Sequence, residues 1–575
     1  MRRLCAIIAL LGAYPLLLLT ALWPVPVLFA LVAAGSYAAE LLAPRVAKSF
    51  VDLLSKVHLG VTLRFAVREM AAVLLVARTA GADSPWLAGL AAGLFAMHGV
   101  RAVQTGLAMR LRQTLATMPV STRNLDVSEL RIPSAPPNFL INHRGVRWLY
   151  LDALPVLGAA FGAAAGALGA GLALAIGLAA ALALVPWVRR AAPLTDRERV
   201  LEIADRRVRE FAPEVVLYFS GAAEAAYQAR MWLPTLERLG RRCIVVLRER
   251  GMAERLGPTS LPMVCIPASA DLMGFRALGS ARLCLYVANV GKNIHMLRIQ
   301  GLRSAFIGHG DSDKEASFNP FSKVYDEVWV AGPAGRDRYR KAEVGVRDED
   351  VHEVGRPQLD GILTEGPGLP YKTVLYAPTW EGWTDDLFHT SLPSMGPRLV
   401  RALMELGVRV IYKAHPLTGY RDRAAARAHR KVVTLLEGAN LAAAKARHPS
   451  SPGTATQFNH LVVSGTEPHL YDCFNLADLM VADISSVVPD FLASGKPYAV
   501  TNVAGLPERT FFDRYPSTEA GTLIGQDLAD LAAFVEGPDE LAEARRKLRT
   551  YLLGPEYPDA MTRFGNAVDR ALQQD

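Results

Sequence analysis

Cysteine is scarce in this 575-residue chain: Cys5, Cys243, Cys265, Cys284 and Cys473 are scattered, odd in number and never arranged as CxxC. Neither a zinc site nor a disulfide framework is indicated, and the pattern fits a reducing compartment. Cys243, Cys265 and Cys284 lie in or beside apolar runs and read as small buried hydrophobes. Helix-turn-helix, zinc and RNA-binding signatures are also missing, so nucleic acid is not the expected partner despite a formal charge of +8. That charge points instead to anionic lipid headgroups or phosphorylated substrates. No metal-ligating cluster stands out, and neither metal nor cofactor is expected.

Apolar residues, by contrast, are abundant, and most of the excess lies before Arg190. Leu4–Leu22 follows Arg2 and Arg3, and a second run, Val25–Leu42, begins after only "WPVP". A cleavable signal peptide would need a small-residue cleavage site between them, so a helical hairpin is the simpler reading. Each run approaches the ~20 residues needed to span a bilayer. Ala66–Ala80 and Trp86–Val103 form a weaker pair, interrupted by Arg68, Glu69 and Arg78. They read as spanning or interfacial helices. Leu151–Val188 is long enough for two helices and rich in Gly and Ala, which let membrane helices approach closely. Basic residues flank the pairs at Arg2/Arg3, Arg45/Lys48, Arg101/Arg110/Arg112 and Arg189/Arg190. Pairs that go out and back place all of these on the cytoplasmic side, with four to six spans. The expected location is therefore a multi-pass membrane protein whose C-terminal half is cytoplasmic.

A chain of this length exceeds one ordinary core. From about Leu201, short β-rich runs alternate with helical stretches. Strands are expected at "EVVLYF", "RCIVVL", "PMVCIP", "RLCLYVANV", "SAFIGHG" and "EVWVAG". A second series follows at "TVLYAPTW", "RVIYKAHP", "LVVSG", "LMVADISS" and "PYAVTN". Continuous apolar strands between helices imply parallel sheets covered on both faces. The fold class is therefore α/β, with two doubly wound, Rossmann-like domains after an all-α membrane region. The expected divisions are 1–190 for the membrane region, 200–357 for the first Rossmann-like domain and 358–575 for the second. Ligands of such sheets bind beyond the carboxyl ends of the strands. Four polar groups fall there: His309 with Gly310, Thr379, Lys413 with His415, and Asp483 with Ser485 and Ser486. They are expected to form one site facing a cleft between the domains.

At these residues the chain resembles the CDP-glycerol glycerophosphotransferases, the teichoic-acid primase and polymerase family. "HGDSDK" supplies His309, Gly310 and Lys314 in the spacing of that family's H-G-T-x-x-K segment. "LYAPTWEG", "KAHP" and "VGRPQLD" match three further segments. "ADLMVADISSVVPDFLASGKP" keeps Asp483, Ser485, Ser486, Asp490, Lys496 and Pro497. Asp311, Glu381 and Ile484 stand where the family usually has Thr, Arg and Tyr. The resemblance runs from about Val215 to the C-terminus and leaves out the membrane region.

The resemblance implies a GT-B type fold and transfer of glycerol phosphate, or a related polyol phosphate, from a CDP-alcohol. The acceptor would be a hydroxyl of a lipid-linked or cell-wall glycan, and CMP would leave. It makes His309 the base on the acceptor-side domain, with Lys314 and Gly310 as acceptor or phosphate contacts. Ser485 and Ser486, at a helix start, would bind the donor diphosphate. Lys413 would meet it from the neighbouring strand end, and His415 would aid CMP departure. Asp483, on the donor side, would orient a hydroxyl or simply stabilise the turn; Thr379 and Asp490 are weaker donor-side candidates, Asp490 having the alternative of an ion pair with Lys496. Gly221, after the first strand, permits close backbone approach. His469 opens a helix and reads as a surface cap. Two other readings stay open: a GT-B glycosyltransferase using a nucleotide sugar, and a non-catalytic membrane assembly protein with a degenerate transferase domain.

Overall fold

The computed structural model describes residues 2–141, 146–310, 319–382, 389–446, 458–465 and 467–573. They fall into two compact units, Met1–Met118 with Val127–Ile203, and Pro119–Asp126 with Ala204–Asp575.

The first unit is helical. Four of its helices are long and apolar enough to cross a membrane: Leu4–Leu22, Pro26–Val46, Pro85–Ala116 and Ala163–Thr195. The weaker run at Ala66–Ala80 folds as the helix Val61–Ala80, which is not among the four. Its Arg64 and Arg68 turn inward: Arg64 Nε donates to Glu40 Oε1 at 2.6 Å, and Arg68 Nε donates to Ser36 Oγ at 2.7 Å. The Arg68 guanidinium also lies 4.4 Å from the centroid of the Tyr37 ring. Paired and hydrogen-bonded in this way, the cations avoid the cost of an isolated buried charge. The Gly/Ala stretch becomes two helices, Ala153–Ala160 and Ala163–Ala191. A β-carbon on Gly93 would stand 2.7 Å from Ala170 Cβ, so the helices Pro85–Ala116 and Ala163–Ala191 approach closer than larger residues allow.

The second unit holds two sheets. The first contains β1 (Ser121–Arg123), β2 (Val215–Phe219), β3 (Cys243–Leu247), β4 (Met263–Cys265), β5 (Leu283–Tyr286), β6 (Arg303–Phe306), β7 (Glu327–Val330) and β8 (Val351–Glu353). Their order is β1-β4-β3-β2-β5-β6-β7-β8. The second contains β9 (Thr373–Ala377), β10 (Arg409–Lys413), β11 (Leu461–Val463), β12 (Leu479–Ala482), β13 (Tyr498–Thr501) and β14 (Thr522–Ile524), in the order β11-β10-β9-β12-β13-β14. All neighbours are parallel except β1, which runs antiparallel to β4. Every residue of β2, β3, β5, β9 and β12 is buried, as parallel strands covered by helices on both faces require.

The final helix, Ala560–Gln573, returns to the first lobe. Phe564, Ala567, Val568 and Ala571 share a core with Val215, Leu217 and Trp232. The Phe564 ring lies 5.3 Å from Trp232 and 5.5 Å from Trp329. The first lobe's core is thus completed by the end of the chain, so the two lobes are not two uninterrupted stretches of sequence.

Candidate functional site

The strand ends bring the expected groups forward. β6 stops at Phe306, and Ile307 and Gly308 carry the chain to His309. β9 stops two residues before Thr379, β10 two before His415, and β12 immediately before Asp483.

His309 and His415 are held in opposite tautomers. His309 Nδ1 lies 2.9 Å from the Val287 carbonyl oxygen, which can only accept. Nδ1 therefore carries the proton and Nε2 the lone pair. His415 Nδ1 accepts the Leu417 backbone N–H at 3.1 Å, so the proton sits on Nε2. One imidazole is poised to accept and the other to donate. Both touch Tyr227, from the short helix Tyr227–Arg230. Its ring meets His309 edge-on, with centroids 5.9 Å apart at 86°, and His415 in the same manner, 5.9 Å apart at 87°. Trp380 stacks on His415 at 5.8 Å and 16°.

Gly310 faces Ser486 directly. A β-carbon at 310 would come within 2.8 Å of Ser486 Cβ and 2.9 Å of its Oγ. Ser486 caps the helix Val487–Phe491 by position, but its side chain makes no capping hydrogen bond. Ser485 Oγ donates to the Asp483 carbonyl oxygen at 3.2 Å. The helix behind the serines has only five residues, so its dipole is a smaller resource than the sequence implied.

The remaining candidates are placed differently. Asp483 is fully buried, and its carboxylate accepts from the Thr379 and Ser391 backbone N–H groups at 2.8 and 3.1 Å and from Thr501 Oγ1 at 2.6 Å. Burial pushes its pKa up, against the pull of those hydrogen bonds. It fixes the loops after β9 and β12. Thr379, itself 5% exposed, is held through that contact. Asp490 pairs with Arg356 rather than Lys496: both of its oxygens lie 2.9 Å from Arg356 Nη2, and Tyr471 OH donates to Oδ2 at 3.1 Å. Lys496 Nζ instead donates to the Phe474 and Ala477 carbonyls. Lys413 Nζ donates to the Gly465 and Pro468 carbonyls at 3.0 and 3.2 Å, and burial lowers its pKa. The Gly221 N–H donates to Glu249 Oε2 at 3.0 Å. His469 caps the helix Leu470–Asn475, as expected of a cap. Lys314 and Asp311 lie outside the described residues. Glu381 is buried, with Oε1 accepting the Gly419 N–H at 2.6 Å. Among the described residues, no group of three or more His, Cys, Asp or Glu is placed to hold a metal ion.

The site thus joins His309 and Gly310 of the first lobe to His415, Ser485 and Ser486 of the second. Tyr227 and Gln228 escaped the sequence reading. They lie in "GAAEAAYQAR", where no pattern separates a site residue from a helix surface.

Two Rossmann-like lobes with polar groups gathered at their strand ends define a GT-B type architecture. Residues 307–503, which hold most of the candidate site, match the family model described as CDP-Glycerol:Poly(glycerophosphate) glycerophosphotransferase. Over those residues the chain is glycerophosphotransferase-like, as its motifs imply. Similar solved structures include the wall teichoic acid polymerase TagF, at 14% identity over 66% of this chain and 93% of that one, with a TM-score of 0.41. Others are S. aureus MnaA with UDP (13%, 62% and 97%, TM-score 0.39) and a glycosyltransferase from Rickettsia africae ESF-5 (9%, 63% and 99%, TM-score 0.40). No curated protein sequence matches the chain.

Proposed function

We propose that the protein is a membrane-anchored transferase. It moves glycerol phosphate, or a related polyol phosphate, from a CDP-alcohol to a hydroxyl of a lipid-linked or cell-wall glycan acceptor. The family match at 307–503 supports the reaction class. The observation that carries the reading is that oppositely protonated His309 and His415 both touch Tyr227, while Gly310, next to His309, meets Ser486.

His309 Nε2 takes the proton of the acceptor hydroxyl as its oxygen attacks the phosphorus bearing the polyol. A base so placed contributes roughly 10²–10⁴-fold. The bond from that phosphorus to the bridging oxygen breaks, and CMP carries the electron pair away. His415 Nε2–H donates to the departing phosphate, and the Ser485 and Ser486 hydroxyls hold the diphosphate. Charge developing on the leaving group thus meets donors already in place. Asp483 acts one step back by fixing the Thr379 loop and the serine turn. Lys413 supports the Gly465–Pro468 backbone beside His469. Lys314 is the further candidate for a phosphate contact. The helical unit anchors the enzyme in the membrane as a multi-pass region, with the C-terminal half cytoplasmic; the basic flanks of the apolar runs support this orientation.

The test is a donor screen. The full chain is incubated with membranes of the cells that naturally carry it, and with CDP-glycerol, CDP-ribitol or a panel of UDP- and GDP-sugars. Release of CMP from a CDP-alcohol is expected. Consumption of a nucleotide sugar alone would make it a glycosyltransferase, and no turnover of any donor would favour a non-catalytic assembly role.

A further inference from the structure

Each of the two imidazoles touches Tyr227. We propose that Tyr227 is the spacer that sets the separation and aim of His309 and His415, a positioning residue for the reaction proposed above, on which this inference rests.

Each histidine is fixed on one side by its own lobe: His309 by the Val287 carbonyl and His415 by the Leu417 amide and the Trp380 ring. They also share a contact, since both lie at 5.9 Å from the Tyr227 centroid in edge-to-face geometry. Edge-to-face aromatic pairs are favourable and directional, so the ring fixes angle as well as distance. Phosphoryl transfer places the attacking and leaving oxygens roughly in line, on opposite sides of phosphorus. A base and a leaving-group donor serving that path must be held apart, not in contact. A flat, stiff ring that touches both imidazoles sets where each one lies.

The helix bearing Tyr227 is itself tied to both lobes. Gln228, the next residue, places its Nε2 3.4 Å from His309 Nε2. Arg230 Nη2 reaches Glu467 Oε1 at 3.0 Å, beside the Gly465 and Pro468 carbonyls that hold Lys413. One turn of helix therefore reads the position of the second lobe and transmits it to the first lobe's histidine.

The experiment measures CMP release from CDP-glycerol by the full chain in the membranes used above, comparing wild type, Y227A, Y227L, Y227F and H309A. Y227A and Y227L are expected to lower kcat about 100-fold, the scale of a displaced reacting group, with KM for CDP-glycerol and Tm little changed. Y227L keeps apolar bulk and supplies the reading if Y227A does not fold. Y227F, which keeps the ring, recovers most of the rate. Full activity in Y227A or Y227L alongside a collapsed H309A overturns the spacer role and leaves the proposed function standing. A Y227F as slow as Y227A assigns the effect to the hydroxyl and also overturns it. Absence of CMP release from wild type, or an H309A as fast as wild type, removes the proposed function and this inference with it.

Discussion

Gly310 and Ser486 meet with no room for a side chain between them: a β-carbon on Gly310 would lie 2.8 Å from Ser486 Cβ. The residue after His309 thus touches the serine turn that closes β12. Glycine at 310 is a matter of clearance here. G310A is expected to push the serine turn away from His309 and lower kcat by about tenfold or more, with little change in Tm. Steady-state CMP release together with a thermal melt checks this; unchanged kcat would show that the contact is not maintained during turnover.

Arg356 and Asp490 are 5% exposed each and form a buried pair, joined by Tyr471. Arg356 lies in "VGRPQLD", between the two sheets in the chain, and Asp490 in the helix behind Ser486. Removing one partner strands the other charge in the interior, a loss of about 3–5 kcal/mol. R356A and D490A should each lower Tm by several degrees, and the double variant should lose less than the sum of the two. Strict additivity in the thermal melts would show that the pair is not a unit.

His469 supplies a pH-dependent contribution. Its Nδ1 accepts the Tyr471 N–H, which requires the neutral ring, and burial holds its pKa below the ordinary imidazole value of 6.5. Between its folded value and 6.5 the unfolded chain binds a proton that the folded chain does not. Stability therefore rises with pH through that window; it is fully present above 6.5 and lost on acidification. H469N keeps a capping acceptor that does not titrate. Between pH 7 and about pH 5, wild type should lose more of its Tm than H469N. Parallel melting curves for the two proteins would contradict the assignment.

Much of this was legible in the sequence where the physics is local. The strands β2, β3, β5, β9, β10, β12 and β13 announce themselves as continuous apolar runs, and the site residues follow the ends of β6, β10 and β12. β1, β8 and β14 did not: each has three residues, and an edge strand such as Ser121–Arg123 buries too little to need an apolar run. The segment "SGAAEAAYQARMWLPTLERLG" forms not one helix but three short pieces, Ala223–Ala225, Tyr227–Arg230 and Leu233–Arg238, with Pro234 inside the first turn of the last. Partners distant in sequence were the least legible. Asp490 has a lysine six residues away, yet it pairs across 134 residues with Arg356. Likewise, nothing about an alanine-rich segment announces that Tyr227 will touch two histidines. For Asp483 the strand-end position leaves ligand contact and turn stabilisation both open; its burial and three hydrogen bonds make it a brace.

The central claim is that His309 and His415 serve opposite ends of one displacement. The most direct measurement is single-turnover CMP release from CDP-glycerol by H309A and H415A, with donor affinity measured separately on each variant. Both are expected to lose about 100-fold or more in rate, with CDP-glycerol still bound by H309A. Release of CMP at the wild-type rate by either variant would contradict the account.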